Sequence, residues 1–100
     1  MITSKQRAYL RAKANGLSPV FQIGKEGVTE NILKQLALVL EKRELIKVSI
    51  LETALLDTKS AANDIASKLG AQPVQAIGSK FVLFKKAVKK ENRKIELPTK

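Results

Sequence analysis

The hydrophobic pattern of residues 29–51 changes its period once, and this change constrains the fold more than any other feature of the sequence. Apolar residues first recur at three- and four-residue spacings, at Ile32, Leu33, Leu36, Val39 and Leu40. Residues 46–50 then alternate apolar and polar positions, and Leu45 and Leu51 break this alternation at its ends. The first pattern predicts a helix that Thr29 caps and that runs to about Arg43, and the second predicts a strand with one buried face.

A first helix is predicted near the amino terminus. Thr3 or Ser4 can cap it, and Gly16 can end it as a left-handed residue. Its apolar stripe consists of Leu10, Ala14 and Leu17. Arg7 and Arg11 are four residues apart and lie together beside this stripe, where they face either solvent or a ligand.

A third helix follows the alternating strand. Asp57 or Thr58 can cap it, and Gly70 can end it in the left-handed conformation. The residues predicted to be buried on this helix are Ala61, Ala62, Ile65 and Leu69. The small alanines indicate close packing against a sheet.

Three more segments read as strands, at residues 19–23, 73–77 and 80–86, because they are short, rich in β-branched or aromatic residues and bounded by proline or glycine. Gly78-Ser79 suits a tight hairpin, so the last two strands should be antiparallel neighbours. The first two strands are joined through a helix and should be parallel, with a right-handed crossover. The prediction is an α/β two-layer fold of order α-β-α-β-α-β-β with a mixed four-stranded sheet.

Positive charge is concentrated at the two ends of the chain. The formal charge is +10, from 19 Lys and Arg against 9 Asp and Glu. Residues 1–20 hold four bases and no acid, residues 85–100 hold seven bases and two acids, and residues 21–84 are nearly balanced. This segregation favours a polyanionic partner, with a basic frayed tail as the alternative. One domain over residues 1–86 and a basic C-terminal tail over residues 87–100 are predicted.

The chain contains no cysteine and no histidine. It therefore lacks disulfides, the usual transition-metal ligands and the side chain that most often transfers protons near neutral pH. Its acids are scattered over positions that helix capping and solubility explain. We expect a protein that is not an enzyme, with no catalytic residues, no metal, no cofactor and no small-molecule substrate.

The longest unbroken apolar run, residues 36–40, is far shorter than the roughly 20 residues of a membrane-spanning helix. The amino terminus shows no apolar stretch followed by a small-residue cleavage site. The basic tail also lacks the aromatic and leucine face of an interfacial helix. A cytoplasmic monomer without membrane contact is expected.

Gly24-Lys25-Glu26-Gly27 lies between the first strand and the second helix. Ahead of a helix amino terminus, two glycines let the backbone approach a ligand while free amides and the helix dipole face an anion. Lys25 adds a mobile positive charge. In RNA-binding KH modules, a Gly-x-x-Gly loop clamps the backbone of about four nucleotides. The alternative is a flexible turn that needs two positive φ angles.

Four strings occur in the order expected of one known family. They are GKEGVT at 24–29, ELIKV at 44–48, VQAIG at 74–78 and IELP at 95–98. Together they resemble the CRM domain family, named for chloroplast RNA splicing and ribosome maturation, and most of all its bacterial single-domain YhbY type. The resemblance covers nearly the whole chain.

The resemblance implies a fold related to KH domains and to the carboxyl-terminal domain of translation initiation factor three. It also implies RNA binding and, for the bacterial single-domain members, association with precursors of the large ribosomal subunit. A ribosome assembly factor is therefore expected. The alternatives are a permanent ribosomal protein and a general KH-like RNA-binding module.

The family's functional loop falls on Gly24, Lys25, Glu26 and Gly27. The basic residues expected to contact RNA with this loop are Lys5, Arg7, Arg11, Lys80, Lys85 and Lys86. Two positions depart from what the family pattern favours, since Glu26 places an acid in a phosphate-binding loop and Phe84 stands where tyrosine is usual. Burial is expected for Phe21, Phe81 and Phe84, which leaves Tyr9 as the candidate for either base stacking or packing.

Overall fold

Three helices and four strands follow one another in the predicted order in the computed structural model, which describes residues 2–98. The helices are α1 (Ser4–Ala14), α2 (Glu30–Arg43) and α3 (Thr58–Leu69). The strands are β1 (Phe21–Ile23), β2 (Leu45–Ile50), β3 (Gln72–Ile77) and β4 (Lys80–Phe84). Two short 3₁₀ turns, Glu52–Ala54 and Lys90–Asn92, complete the described elements.

The strands form one mixed sheet in the order β1-β2-β4-β3. β1 and β2 are parallel, with Ile23 opposite Ile50, while β4 is antiparallel to both of its neighbours. The predicted α/β class, mixed four-stranded sheet and strand directions are confirmed. Gly78 alone has a positive φ, 59°, in the two-residue hairpin, which is the pattern of a type II′ turn.

Short polar side chains begin all three helices. The Thr3 hydroxyl accepts a hydrogen bond from the Gln6 amide at 3.1 Å, and the Gln6 side chain accepts one from the Thr3 amide at 2.9 Å. Thr29 caps α2 through the Ile32 amide. Asp57, and not Thr58, caps α3 through the Ser60 amide. Each cap satisfies a donor that has no partner within its helix.

The helix ends match the predictions less well. Gly70 ends α3 with φ 68°, as predicted, but Gly16 has no positive φ, so its predicted role as the terminator of α1 is wrong. The Asn15 and Leu17 amides donate to carbonyls three residues earlier, and this tight turn needs no left-handed residue. α2 ends instead at Glu44, a non-glycine residue with φ 64°.

Apolar side chains cover both faces of the sheet. Phe81 and Leu83 lie in the cluster that α2 and α3 cover, whereas Val82 and Phe84 lie in a second cluster with α1. The sheet and the layer of α2 and α3 form the predicted two-layer arrangement. The helix α1 packs on the opposite face of the sheet. On α3, Leu69 is only partly buried and Ala66 is buried in the core.

The C-terminal segment, residues 87–98, lies against the ends of α1 and α2. The buried Glu44 carboxylate accepts hydrogen bonds from the Ala87 amide at 2.7 Å and from the Lys94 and Ile95 amides at 2.6 and 2.9 Å. The Gln6 side chain donates to the Pro98 carbonyl at 3.0 Å. Ile95 and Leu97 pack on the α1 cluster. The division of the chain at residue 86 stays a prediction.

A second acid, Glu41, binds the same segment one turn earlier on α2. Its carboxylate accepts from the Val88 and Lys89 amides at 2.8 and 3.1 Å and from the Asn92 side chain at 2.9 Å. These bonds, the one from Asn92 foremost, lower the pKa of Glu41 to about 2. Burial works to raise the pKa of Glu44, but its three backbone hydrogen bonds and the nearby charge of Arg93 lower it below its ordinary value.

We predict that Glu44→Gln lowers the free energy of unfolding at pH 7 by about 2 kcal/mol, because the amide NH₂ would meet a backbone N–H that now donates to the carboxylate. A carboxyl group with a lowered folded pKa stabilises fully above its unfolded pKa of about 4.3 and loses this effect as the pH falls through its folded pKa. The difference between the variant and the wild type should therefore shrink in strong acid. Urea denaturation across this pH range measures it.

The matched control is Glu91→Gln, which removes an exposed acid from the same segment. A surface change of this kind is expected to alter stability by less than about 0.5 kcal/mol. Equal stability of the two variants at pH 7 would contradict the structural role given to Glu44.

Candidate nucleic-acid interface

Residues 24–27 form a closed turn between β1 and α2. The Gly27 amide donates to the Gly24 carbonyl at 2.9 Å, and Lys25 and Glu26 are exposed at the tip. Gly27 has φ 72°, whereas Gly24 has no positive φ. The turn therefore needs one left-handed residue and not the two that the alternative interpretation required.

Neither glycine is packed inward. A Cβ atom added to Gly27 would meet nothing within 4 Å, and one added to Gly24 would lie 3.6 Å from the Leu51 side chain, an ordinary contact. Gly27 is thus required by its backbone conformation, and the outer surface of the turn is open to a ligand.

Free backbone donors surround this turn. The amides of Lys25, Glu26 and Glu30 make no hydrogen bond to another described residue, while Thr29 already satisfies the Ile32 amide. Glu30 is the first residue of α2, where the helix dipole favours negative charge, and Lys25 and Glu26 lie in the turn that precedes it. The combination of open backbone, free N–H groups and Lys25 can bind an anion such as a phosphate.

Glu26 in the turn and Glu30 in the first turn of α2 are both exposed acids, and both are unfavourable for an anion here. Among residues 2–98 the sole ion pair joins Lys68 to Asp64 at 3.2 Å, so Glu26 is not neutralised by Lys25. Because Glu26 is exposed, solvent screens its charge.

Lys80 lies at the same end of the sheet as the turn. The Leu51 amide donates to the Ile23 carbonyl at 2.9 Å, and the Ile50 amide donates to the Ser79 carbonyl at 2.7 Å. These bonds connect the end of β1 to the start of β4, where Lys80 is exposed. Of the cations predicted on the last strand, only Lys80 is near the turn.

Three exposed leucines border the same region, and the sequence patterns did not identify them. Leu51, Leu55 and Leu56 line a shallow depression between the end of β2 and the hairpin. Leu55 is 91% exposed and has φ 54°, a conformation that leucine rarely adopts. This end of the sheet therefore combines free amides, cations and apolar side chains.

The other predicted cations lie elsewhere. Lys85 and Lys86 follow the opposite end of β4, roughly 17 Å along the strand from Lys80. Arg7 lines a groove beside β3, the strand at the edge farthest from β1, and its Nε is buried without a hydrogen-bond partner among residues 2–98. The predicted site residues do not form one contiguous cluster.

Lys5 and Arg11 are exposed on α1, on the same helix as Arg7.

Tyr9 is half-buried, and the Lys13 ammonium lies 5.3 Å from the centroid of its ring. Phe81 and Phe84 are buried as expected, while Phe21 is only partly buried. Tyr9 is thus the aromatic residue with a cation beside it.

A second basic group surrounds Tyr9 at the end of the sheet opposite the turn. Its cations are Lys13, Arg43, Lys86, Arg93 and Lys94, which line two adjoining clefts. The density of bases in residues 85–100 was the signal for this group, but only the docking of the C-terminal segment brings Arg93 and Lys94 to α1. Sequence reasoning missed these two residues for that reason.

Within residues 2–98, no helix is long and apolar enough to cross a membrane. The same residues contain no group of three or more side chains that could together hold a metal ion.

The fold and these surfaces define a small basic α/β domain with an open, glycine-containing turn ahead of a helix, a class suited to polyanionic ligands. The sequence matches the CRS1/YhbY (CRM) domain family over residues 2–85. The chain belongs to this family, which confirms the resemblance found in its motifs.

Relatives of similar length span nearly the whole chain. The "Probable RNA-binding protein YqeI" of Bacillus subtilis is 48% identical, with 98% of this chain and 100% of that protein aligned. An "RNA-binding protein" of Haemophilus influenzae is 33% identical over 99% of this chain and 97% of its own. The solution structure of the hypothetical protein SAV1595 from Staphylococcus aureus, proposed there to bind RNA, matches with a TM-score of 0.79 and 45% identity, covering 98% of this chain and 100% of that one.

We predict that Gly27→Ala lowers the free energy of unfolding by about 1–2 kcal/mol, because alanine must adopt a left-handed φ there. Gly24→Ala should leave it unchanged or raise it by up to about 1 kcal/mol, because the backbone there suits alanine. Urea denaturation of the two variants compares them directly. Equal effects would show that the turn differs from the described geometry.

Proposed function

We propose that this protein binds RNA through its phosphate backbone, with residues 24–27 as the principal anchor, and that it acts in assembly of the large ribosomal subunit. One observation carries this proposal: the turn before α2 offers an open backbone, unpartnered amides and the exposed Lys25 in one place. The RNA-binding names of its relatives support the choice of RNA as the polyanion.

The contacts that the acidic side chains make support a phosphate ligand. Glu41 and Glu44 accept hydrogen bonds from the C-terminal segment, and Asp57 caps α3. Among residues 2–98 a single lysine, Lys68, is ion-paired. The other exposed lysines of residues 2–98 form no ion pair and can contact phosphates, which gives affinity without requiring base recognition.

The acids that a catalytic role would need also have simpler roles. Asp57 caps a helix and Asp64 pairs with Lys68. Lys25 and Glu26 are exposed side chains at the tip of a turn. We infer a binding protein, not an enzyme.

The finer assignment, assembly of the large subunit, rests on the family resemblance. A permanent ribosomal protein with the same charge would remain in finished ribosomes at one copy each. An assembly factor binds precursor subunits and dissociates before they are mature. A surface that recognises the shape and charge of exposed RNA suits such a role.

We predict that the double variant Lys25→Gln and Lys80→Gln binds RNA more weakly and lowers the slope of log affinity against log salt by about 1.4–1.8, the loss expected for two phosphate contacts. Fluorescence anisotropy with a labelled ribosomal RNA hairpin at several salt concentrations measures both quantities. The control, Lys34→Gln with Lys68→Gln, makes the same change of net charge on α2 and α3. Indistinguishable slopes for the two double variants would rule out the turn as the anchor.

We also predict that the wild-type protein co-sediments with precursors of the large subunit and is depleted from mature ribosomes. Density gradients of extracts from growing cells, probed with an antibody to the protein, test this. One copy per mature subunit would instead identify a permanent ribosomal component.

A further inference from the structure

A cleft separates α1 from the C-terminal segment at the end of the sheet opposite residues 24–27. Its volume is about 800 Å³, and the residues that line it include Tyr9, Phe84, Lys86, Arg93 and Lys94. This volume lies within the roughly 300–1,000 Å³ of typical small-ligand sites. The cleft can therefore accept a group of the size of a nucleotide.

The cleft has an apolar floor and an aromatic wall. Phe84 is buried, while Ile95 and Leu97 are half-buried and leave part of their surface open to the cleft. The half-buried Tyr9 ring lies beside them, with the Lys13 ammonium 5.3 Å from its centroid. A flat, partly polar ring is the ligand that suits such a surface, because bases stack on aromatic side chains.

The rim of the cleft is cationic. Lys86, Arg93 and Lys94 are exposed, and Glu96 is the one acid among the residues that line the cleft. The Arg93 guanidinium is oriented by hydrogen bonds from its Nε to the Ala87 carbonyl at 2.9 Å and from its Nη2 to the Val88 carbonyl at 3.4 Å. This orientation prepares a positive group at the rim before any ligand binds.

We propose that this cleft binds one unpaired nucleotide of an RNA, with its base against Tyr9 and the apolar floor and its phosphate between Lys86 and Lys94. A paired base has its faces covered by its neighbours in the stack, so the cleft selects an unpaired one. The cleft takes this role only if the protein binds RNA as proposed. It then provides a second contact, at the opposite end of the sheet from the turn.

The choice of RNA over an acidic peptide follows from the combination of groups. Carboxylates of a peptide would satisfy the cations but would leave the Tyr9 ring and the apolar floor without a matching partner. A nucleotide joins one anionic group to one flat ring, and the cleft presents the complement of both.

The test uses the full chain, a labelled twelve-nucleotide single-stranded RNA of mixed sequence and a duplex of the same length. Tyr9→Leu is expected to weaken binding of the single strand about tenfold, within the range for loss of one stacked base, and to change duplex binding less than twofold. Tyr9→Phe keeps the ring and should bind as the wild type does. Circular dichroism establishes that each variant is folded.

Two exposed lysines give an independent variant that keeps the core intact. Lys86→Gln with Lys94→Gln should weaken single-strand binding more than the charge-matched Lys34→Gln with Lys68→Gln. In addition, 4-thiouridine in the single strand should photocrosslink to the tryptic peptide of residues 8–11, which contains Tyr9.

The outcomes separate the two proposals. A wild-type protein that binds neither RNA would overturn RNA binding altogether. If the wild type binds and the Lys25→Gln, Lys80→Gln variant is weakened, while Tyr9→Leu and the Lys86, Lys94 variant bind normally, the cleft is not an RNA site and the turn remains one. Competition by oligoglutamate as strong as that by RNA of equal length would also overturn the nucleotide assignment.

Discussion

The buried carboxylate of Glu44 joins the end of α2 to the C-terminal segment, which is more than forty residues away in the sequence. Its residue ends α2 with φ 64° and ψ −35°, a sparsely populated conformation that costs of order 1–3 kcal/mol for a non-glycine residue. Three amides of the C-terminal segment donate to the side chain, and the Lys85 amide donates to its backbone carbonyl at 2.9 Å. The bonds offset the strain and also satisfy donors that would otherwise be buried without partners. Together with Glu41, which accepts from the Val88 and Lys89 amides, Glu44 holds the chain that follows β4 against α2.

This arrangement also decides where positive charge is available. Glu41 and Glu44 direct their carboxylates to backbone amides and not to lysine side chains. The docked segment consequently carries its bases on the surface, and it places Arg93 and Lys94 beside α1. The result is a molecule with cations at both ends of its sheet, although the predicted cations were expected to contact RNA together with the loop. An RNA that contacts both ends would be held across the domain and not at one point.

Much of the fold follows from local patterns because each pattern has a direct physical cause. The caps by Thr3, Thr29 and Asp57 were predictable, since a short polar side chain ahead of an apolar periodic run satisfies helix donors. The hairpin at Gly78 was predictable from its length and its glycine. The errors lie at helix ends, where Gly16 has no positive φ and Glu44 has one. A local sequence cannot show that a distant segment will stabilise an acidic residue in a strained conformation.

The sequence by itself determined the order of the elements, the mixed sheet, the excess of positive charge and the family to which the chain belongs. These properties depend on periodicity, capping, composition and motif order, all of which are local or additive. Only the tertiary structure decided that α1 covers the second face of the sheet, that residues 87–98 dock on Glu41 and Glu44, and that Tyr9 shares a cleft with Arg93 and Lys94. These features depend on contacts between segments that are distant in the sequence, and the partners in such contacts are selected by the shape and hydrogen-bonding needs of the whole core.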